Sequence, residues 1–336
     1  MRAAVCRALG PPEVVQVEEL PSPELHAGQA RVRIGAAAVN FPDVLLIAGE
    51  YQIKPPLPFV VGSEFAGTVA EVAGDVHDLT VGDRVTGTGL TDAFATEAVV
   101  SREALTAAPT GLSHVDAAAA GVAHRTAMHV LRSTARLEPG HELVVLGAGG
   151  GVGLATVQLG VALGASVTAV ASSDDKLAVA AEHGAAHVVR HGEDDLRAAL
   201  REAVPSGADV VMDPVGGDLA EPALRSLRYG GRFVSVGYAS GTIPRIALNL
   251  VLLKGIEVRG FEFLGFATHE PEAMQRNEAE LRDLLQSGRV RPHIGARFAL
   301  ADTAAALRLV ADGRAIGKVV IEVAGDAAAT PGRTTD

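Results

Sequence analysis

One cysteine and no tryptophan occur in 336 residues, and aromatic residues make up only 4%. A lone Cys6 excludes a disulfide framework and a cysteine-built zinc site. Its place in an apolar opening strand marks it as a core residue rather than a reactive thiol. Runs of basic residues are also missing, and the net charge is -11. A basic face for nucleic acid or anionic membrane is therefore disfavoured, because phosphate contacts need clustered Lys and Arg. The most apolar region, 143–171, carries glycines at 147, 149, 150, 151, 153, 160 and 164. It changes period at Gly147 and Gly164, so two buried strands flanking a helix explain it better than a membrane span. The opening residues carry Arg7 where a signal peptide would be apolar, and a cytoplasmic protein is expected. No GxSxG, Cys-His or Walker pattern supports a hydrolase or kinase.

With 48% hydrophobic and 21% charged residues, the chain can build a core and is not generally disordered. Its organising stretch is Leu143 to Gly153, where a short apolar strand ends in Gly147 and a helix is expected over Leu154 to Leu163, with Gly164 as C-cap. Gly147, Gly150 and Gly153 fit GxxGxxG; Val152 breaks the stricter GxGxxG. Strand, glycine turn and helix present first-turn N–H groups and the positive end of the helix dipole to a phosphate. A plain tight turn is the competing reading of the glycines alone.

A dinucleotide site makes a test about 20 residues further on, where an acid would bind the adenosine ribose. That place holds Ala171, followed by Ser172, Ser173 and Lys176 as donors. This favours NADPH over NADH. Against it, Asp174 and Asp175 would repel a phosphate unless they point away, and the serines would serve equally well as caps of the helix starting at Asp174.

Up to about Val100, short strands alternate with turns such as Gly10-Pro11-Pro12 and Val81-Gly82-Asp83, which predicts a compact, mostly antiparallel β domain. Ser113 reads as an N-cap, with two helices to Leu131. Strands and helices then alternate to a last strand at Ile256–Phe261, so a doubly wound parallel α/β sheet is expected. Helices follow at Glu272–Ser287 and Asp302–Asp312, then a strand at Lys318–Val323 and a disordered tail, Gly325–Asp336. His183, His187 and His191 are spaced by four, but Gly184 interrupts their helix, and neither His141-Glu142 nor His269-Glu270 extends to HExxH. The histidines read as surface or loop residues, not metal ligands.

Several stretches in order carry a resemblance: Ala38-Val39-Asn40-Phe41-Pro42-Asp43, Pro58 to Gly67, Val81 to Val85, Gly150-Gly151-Val152-Gly153, Asp213-Pro214-Val215-Gly216-Gly217 and Gly317-Lys318-Val319-Val320. From Met1 to about Val323 the chain resembles the zinc-free quinone oxidoreductase branch, zeta-crystallin-like, of the medium-chain dehydrogenase/reductase superfamily. The resemblance implies a GroES-like catalytic domain (1–123), a Rossmann domain (124–264), a return to the catalytic domain (265–324) and the tail (325–336). It implies hydride transfer without metal, since Asn40, Ser63 and a position near Val122 stand where zinc-bearing relatives keep ligands. An electron-poor acceptor is then required.

By the same carry-over, Asn40 and Asp43 hold the nicotinamide end and Tyr51 faces the acceptor. Tyr51 either donates to a developing oxyanion or packs as a loop aromatic on Pro55 and Pro56. The cofactor set is Asn40, Gly147, Gly150, Gly151, Val152, Gly153, Ser172, Ser173, Lys176, Arg190, His191, Gly237 and Tyr238. The chain departs from the family at His124-Arg125-Thr126-Ala127-Met128, where Tyr-Gly-Thr-Ala-Tyr is common. It departs again at His191, where a tyrosine often helps bind the 2′-phosphate. The leading expectation is an NADPH-dependent quinone reductase acting on a small-molecule quinone. The alternative is an NADPH-dependent enoyl reductase acting on an α,β-unsaturated thioester or ketone. A non-catalytic NADPH-binding or RNA-binding role is the third reading, and the charge counts against RNA. A homodimer through the edge strand of the nucleotide sheet, within Ile243–Phe263, is expected.

Overall fold

The computed structural model describes residues 1–192 and 195–323. The chain divides into two compact units. One comprises Met1–Gly121, Ala296–Arg314 and the chain from Val319; the other comprises Val122–Gly295 and Ala315–Lys318.

In the first unit the long strand Gln29–Val39 pairs antiparallel with Glu64–Val72, Glu97–Ser101 and the C-terminal strand. Alternation sets its faces: Ala30, Val32 and Ile34 are buried, while Arg31 turns to Glu71 and Glu97 at 3.0 and 3.4 Å. A smaller sheet joins Arg2–Cys6 to Val15–Glu19 and Phe59–Val60. Within this β domain lies a helix the sequence reading passed over, Phe41–Ala48. Its signals are Asn40 at the N-cap, Pro42 in the first turn, Asp43 at the third position and Gly49 at φ +73° after its end.

The second unit carries six parallel strands in spatial order His187–Arg190, Ser166–Ala171, Glu142–Leu146, Ala208–Asp213, Leu227–Ser235 and Glu257–Gly260. In chain order this is 3-2-1-4-5-6, the doubly wound dinucleotide arrangement. The central strands carry apolar side chains on both faces because helices cover both: Val144, Leu146, Val170, Val211 and Phe233 have no exposed surface. The glycine-turn helix runs Gly151–Ala162, three residues earlier than expected, because Gly150 rather than a polar residue is its N-cap. Gly164 and Gly184 both take positive φ and end helices as expected.

Three boundaries differ from the sequence reading. The second unit begins at Val122, not 124. The segment 265–295, expected in the return to the catalytic domain, belongs to the second unit. Its helix Pro271–Gln286 is tied there by ion pairs from Arg125 to Glu278 and from Arg132 to Glu280. The helix expected from Glu193 is described from Leu196 to Ala203, and Glu193, like the tail 325–336, lies outside the described residues. No helix among the described residues is long and apolar enough to cross a membrane.

Candidate functional site

At the end of Glu142–Leu146 the backbone turns through Gly147 at φ +61°. Intrahelical bonding starts at Leu154 N to Gly150 O, 2.8 Å, so the first-turn N–H groups of Gly151, Val152 and Gly153 have no acceptor within the helix. The glycines are held by close approach. A Cβ on Gly153 would lie 2.1 Å from the Gly147 carbonyl oxygen, and one on Gly149 would lie 2.5 Å from the Lys176 side chain. Gly153 thus serves helix-to-turn packing, and Gly149 is where Lys176 crosses the turn.

Lys176 connects the cradle to the end of the second strand. Its Nζ donates to Ser172 Oγ at 3.3 Å, and partial burial lowers its pKa from the ordinary lysine value. Ala171, fully buried, pairs in register with Arg190, and His191 N donates to Ala171 O at 3.0 Å. Burial, and secondly the Lys176 charge, push the His191 pKa below its ordinary value. Ser173 occupies the N-cap of the helix Asp174–Glu182 without a side-chain cap bond, so capping does not occupy its hydroxyl. Asp174 points outward, 80% exposed, and holds Arg190 at 3.1 Å. The structure therefore gathers Ser172, Lys176, Arg190 and His191 beside the glycine turn, with one acid turned outward.

Gly237 and Tyr238 follow the strand Leu227–Ser235 and lie over the Asp213–Gly217 turn. Gly237 is 3.5 Å, from its would-be Cβ, to the Pro214 carbonyl oxygen, and Tyr238 packs on Gly216. Asp213, fully buried, accepts from Val215 N and Gly216 N, both 2.8 Å. Burial raises its pKa, with the two N–H bonds opposing.

In the first unit Asn40 and Asp43 form the reciprocal cap of the Phe41–Ala48 helix: Asn40 N donates to Asp43 Oδ2 at 2.7 Å, and Asp43 N to Asn40 O at 3.1 Å. Asn40 Nδ2 donates to Glu64 Oε1 at 2.9 Å and to Ser63 Oγ at 3.2 Å. All four residues are buried. Tyr51 stands apart from this network: half-buried in the turn after Gly49, it is fixed by its backbone N–H to Leu45 O.

Two further residues stand beside these groups and carried no assignment from the sequence. Glu64 is the partner of Asn40. Lys318, 3% exposed, packs its stem against Gly151, with Gly317 N donating to Gly149 O at 2.8 Å. An acid and a lysine inside apolar strand runs were the available signals. Among the described residues no three His, Cys, Asp or Glu side chains form a metal-binding group.

Sheet order, glycine cradle and cationic cluster together define a dinucleotide-binding α/β protein. Residues 26–112 match the alcohol dehydrogenase GroES-like domain and residues 151–279 match the family described as zinc-binding dehydrogenase. Quinone oxidoreductase-like protein 2 of Bos taurus is 36% identical over 96% of this chain and 92% of its own length. A quinone oxidoreductase of Pseudomonas aeruginosa is 34% identical over 94% and 97%. The structure of Escherichia coli quinone oxidoreductase complexed with NADPH superposes with a TM-score of 0.89 at 27% identity, covering 96% of this chain and all of that one. The chain belongs to the quinone oxidoreductase-like branch of the medium-chain dehydrogenase/reductase superfamily.

Proposed function

We propose that the chain is an NADPH-dependent quinone oxidoreductase that works without zinc. The observation that carries the cofactor choice is Lys176, which crosses Gly149 to reach Ser172 where a ribose-binding acid is replaced by Ala171. The relatives named quinone oxidoreductase and the neighbour complexed with NADPH support the same reading.

The residues fit the cofactor. The N–H groups of Gly151, Val152 and Gly153 suit its pyrophosphate, and Gly147, Gly149 and Gly150 keep the approach clear. Ser172, Ser173, Lys176, Arg190 and His191 suit a 2′-phosphate, and Gly237 and Tyr238 the nicotinamide end. When bound, NADPH supplies the hydride. Asn40 and Asp43 are assigned to positioning, and the Tyr51 hydroxyl to donating a hydrogen bond as charge develops on the acceptor oxygen.

The zinc-free part rests on donor chemistry. Asn40 and Ser63 offer an amide and a hydroxyl, bonded to each other, where a zinc site needs thiolate, imidazole or carboxylate donors. Without a Lewis acid the acceptor must itself be electron-poor, as a quinone is. The expected homodimer is supported by an exposed apolar face: Leu248, Leu252 and Leu253 are 77, 80 and 71% exposed beside the edge strand Glu257–Gly260. Steady-state oxidation of NADPH against NADH with one quinone tests the assignment: a preference for NADPH supports it, and equal use of both opposes it.

A further inference from the structure

The second unit holds a cavity that none of the cofactor residues line. It has a volume of about 330 Å3 and lies between the C-terminal ends of the helices Gly151–Ala162 and Asp174–Glu182 and the turn 288–291. Its polar walls are Gln158, His183, Arg289 and Arg291.

The arginines here behave unlike most in this chain. With 40 acids against 29 bases, guanidinium groups find carboxylates easily. Arg125, Arg132, Arg190, Arg225 and Arg228 are all paired. Neither Arg289 nor Arg291 has a carboxylate partner among the described residues. Arg289 donates to Ala162 O at 2.8 Å, which answers the carbonyl end of that helix. Arg291 caps no helix among the described residues. Its guanidinium folds over Gly288, 3.5 Å from where a side chain there would begin. One positive charge is thus left over at the rim of a cavity at the small end of the ligand-site range.

A hydrogen-bonded chain leads inward from the same wall. Gln158 Nε2 meets His183 Nδ1 at 3.2 Å, His183 Nε2 meets His293 Nδ1 at 3.3 Å, and Gln158 Oε1 meets the Nε2 of buried His124 at 3.0 Å. The amide fixes the direction: its NH2 group donates to His183, so neutral His183 carries its proton on Nε2 and donates it to His293. Gln158 Oε1 in turn accepts from His124 Nε2–H.

We propose that this cavity is a binding site for a small dianion, a phosphomonoester or a dicarboxylate, held by Arg291 and the remaining N–H groups of Arg289. His183 supplies a second charge by taking up a proton as the anion binds. Around it stand Gln158, His293, Arg289, Arg291 and its neighbour Glu182. Burial first, then the electrostatic influence of the neighbouring His293, keep its pKa below the ordinary 6.5, with Glu182 opposing, so at neutral pH it enters the equilibrium unprotonated. Protonation makes Nδ1 a donor. Gln158 must then turn its carbonyl to His183 and its NH2 to His124, so occupancy of the cavity changes the tautomer of a buried histidine.

The test is calorimetric titration of the full chain, saturated with NADPH to occupy the cofactor's own phosphate sites, with glycerol 3-phosphate and separately with succinate. One-to-one binding of either is expected. It should weaken by about tenfold or more in Arg291→Met, the loss of one charge-assisted contact. It should also be lost in Ala162→Phe, which fills the cavity while keeping both arginines. Repeating the titration in two buffers of different ionisation enthalpy should show proton uptake that His183→Asn abolishes. No saturable binding of either anion, binding unchanged in both cavity variants, or the absence of proton uptake by the wild-type chain would overturn the proposal.

Discussion

The amide of Asn40 donates to the carboxylate of Glu64 at 2.9 Å, and both residues are buried. The second Asn40 donor goes to Ser63. With its N–H groups committed in this way, the Asn40 amide keeps one orientation. Gly121 leaves room for the other Glu64 oxygen, which lies 2.3 Å from where a Gly121 Cβ would be. Glu64→Ala is expected to leave buried donors unmatched and to cost about 1–3 kcal/mol in urea unfolding. Glu64→Gln keeps an acceptor at Oε1 and should cost less. Asn40→Ala is expected to lower kcat/KM by about 10–100-fold through lost positioning. Equal stability of the two Glu64 variants would remove the network from the explanation.

Cofactor choice should follow Lys176. Removing a charge-assisted contact to a 2′-phosphate is expected to raise the NADPH KM by about tenfold or more in Lys176→Ala, with the NADH KM unchanged. Asp174→Ala should act in the opposite sense. It removes one carboxylate that competes for Arg190, in an exposed pair worth about 0–1 kcal/mol, so NADPH should bind a few-fold more tightly. Initial rates with both cofactors measure both effects.

The half-buried histidines set a direction for stability against pH. His183 and His191 each have a folded pKa below the ordinary 6.5. Between the folded and unfolded values the unfolded chain binds more protons, so stability rises with pH there. Their contribution is therefore fully present above about pH 6.5 and is lost as pH falls through the folded values. The urea midpoint should drop from pH 7 towards pH 5.5, and His183→Asn with His191→Asn should flatten that slope. A midpoint that rises over this range would contradict the burial of both rings.

Association should depend on Leu252 and Leu253. The wild-type chain is expected to elute as a dimer with mass confirmed by light scattering, and Leu252→Glu with Leu253→Glu as a monomer, because two charges would be buried unpaired in an apolar interface. A monomeric wild type would end the edge-strand proposal.

Much of the fold could be read because its signals are local. Glycine after an apolar strand, serine before a helix and glycine after one each fix a backbone choice within a few residues. The helix Phe41–Ala48 escaped for the opposite reason: the strand pattern around it dominated, although Asn40, Pro42 and Asp43 spelled its start. Asn40, Asp43, Lys176 and the glycines were singled out from motif positions. Glu64 and Lys318 were not assigned roles, because their partners come from residues distant in sequence. The place of 265–295 was hidden likewise, in ion pairs spanning some 150 residues between Arg125 and Glu278 and between Arg132 and Glu280. The His183–His293 contact joins residues 110 apart, and the spacing of His183, His187 and His191 gave no hint of it.

The most direct test of zinc-free quinone reduction is NADPH oxidation with 1,4-benzoquinone after exhaustive chelation, with crotonyl-CoA as the comparison acceptor. Saturable turnover of the quinone, unchanged by chelator or by added zinc and exceeding that of crotonyl-CoA, is the expected result. Activity that disappears with chelation and returns with zinc, or no NADPH oxidation above background with the quinone, would contradict it.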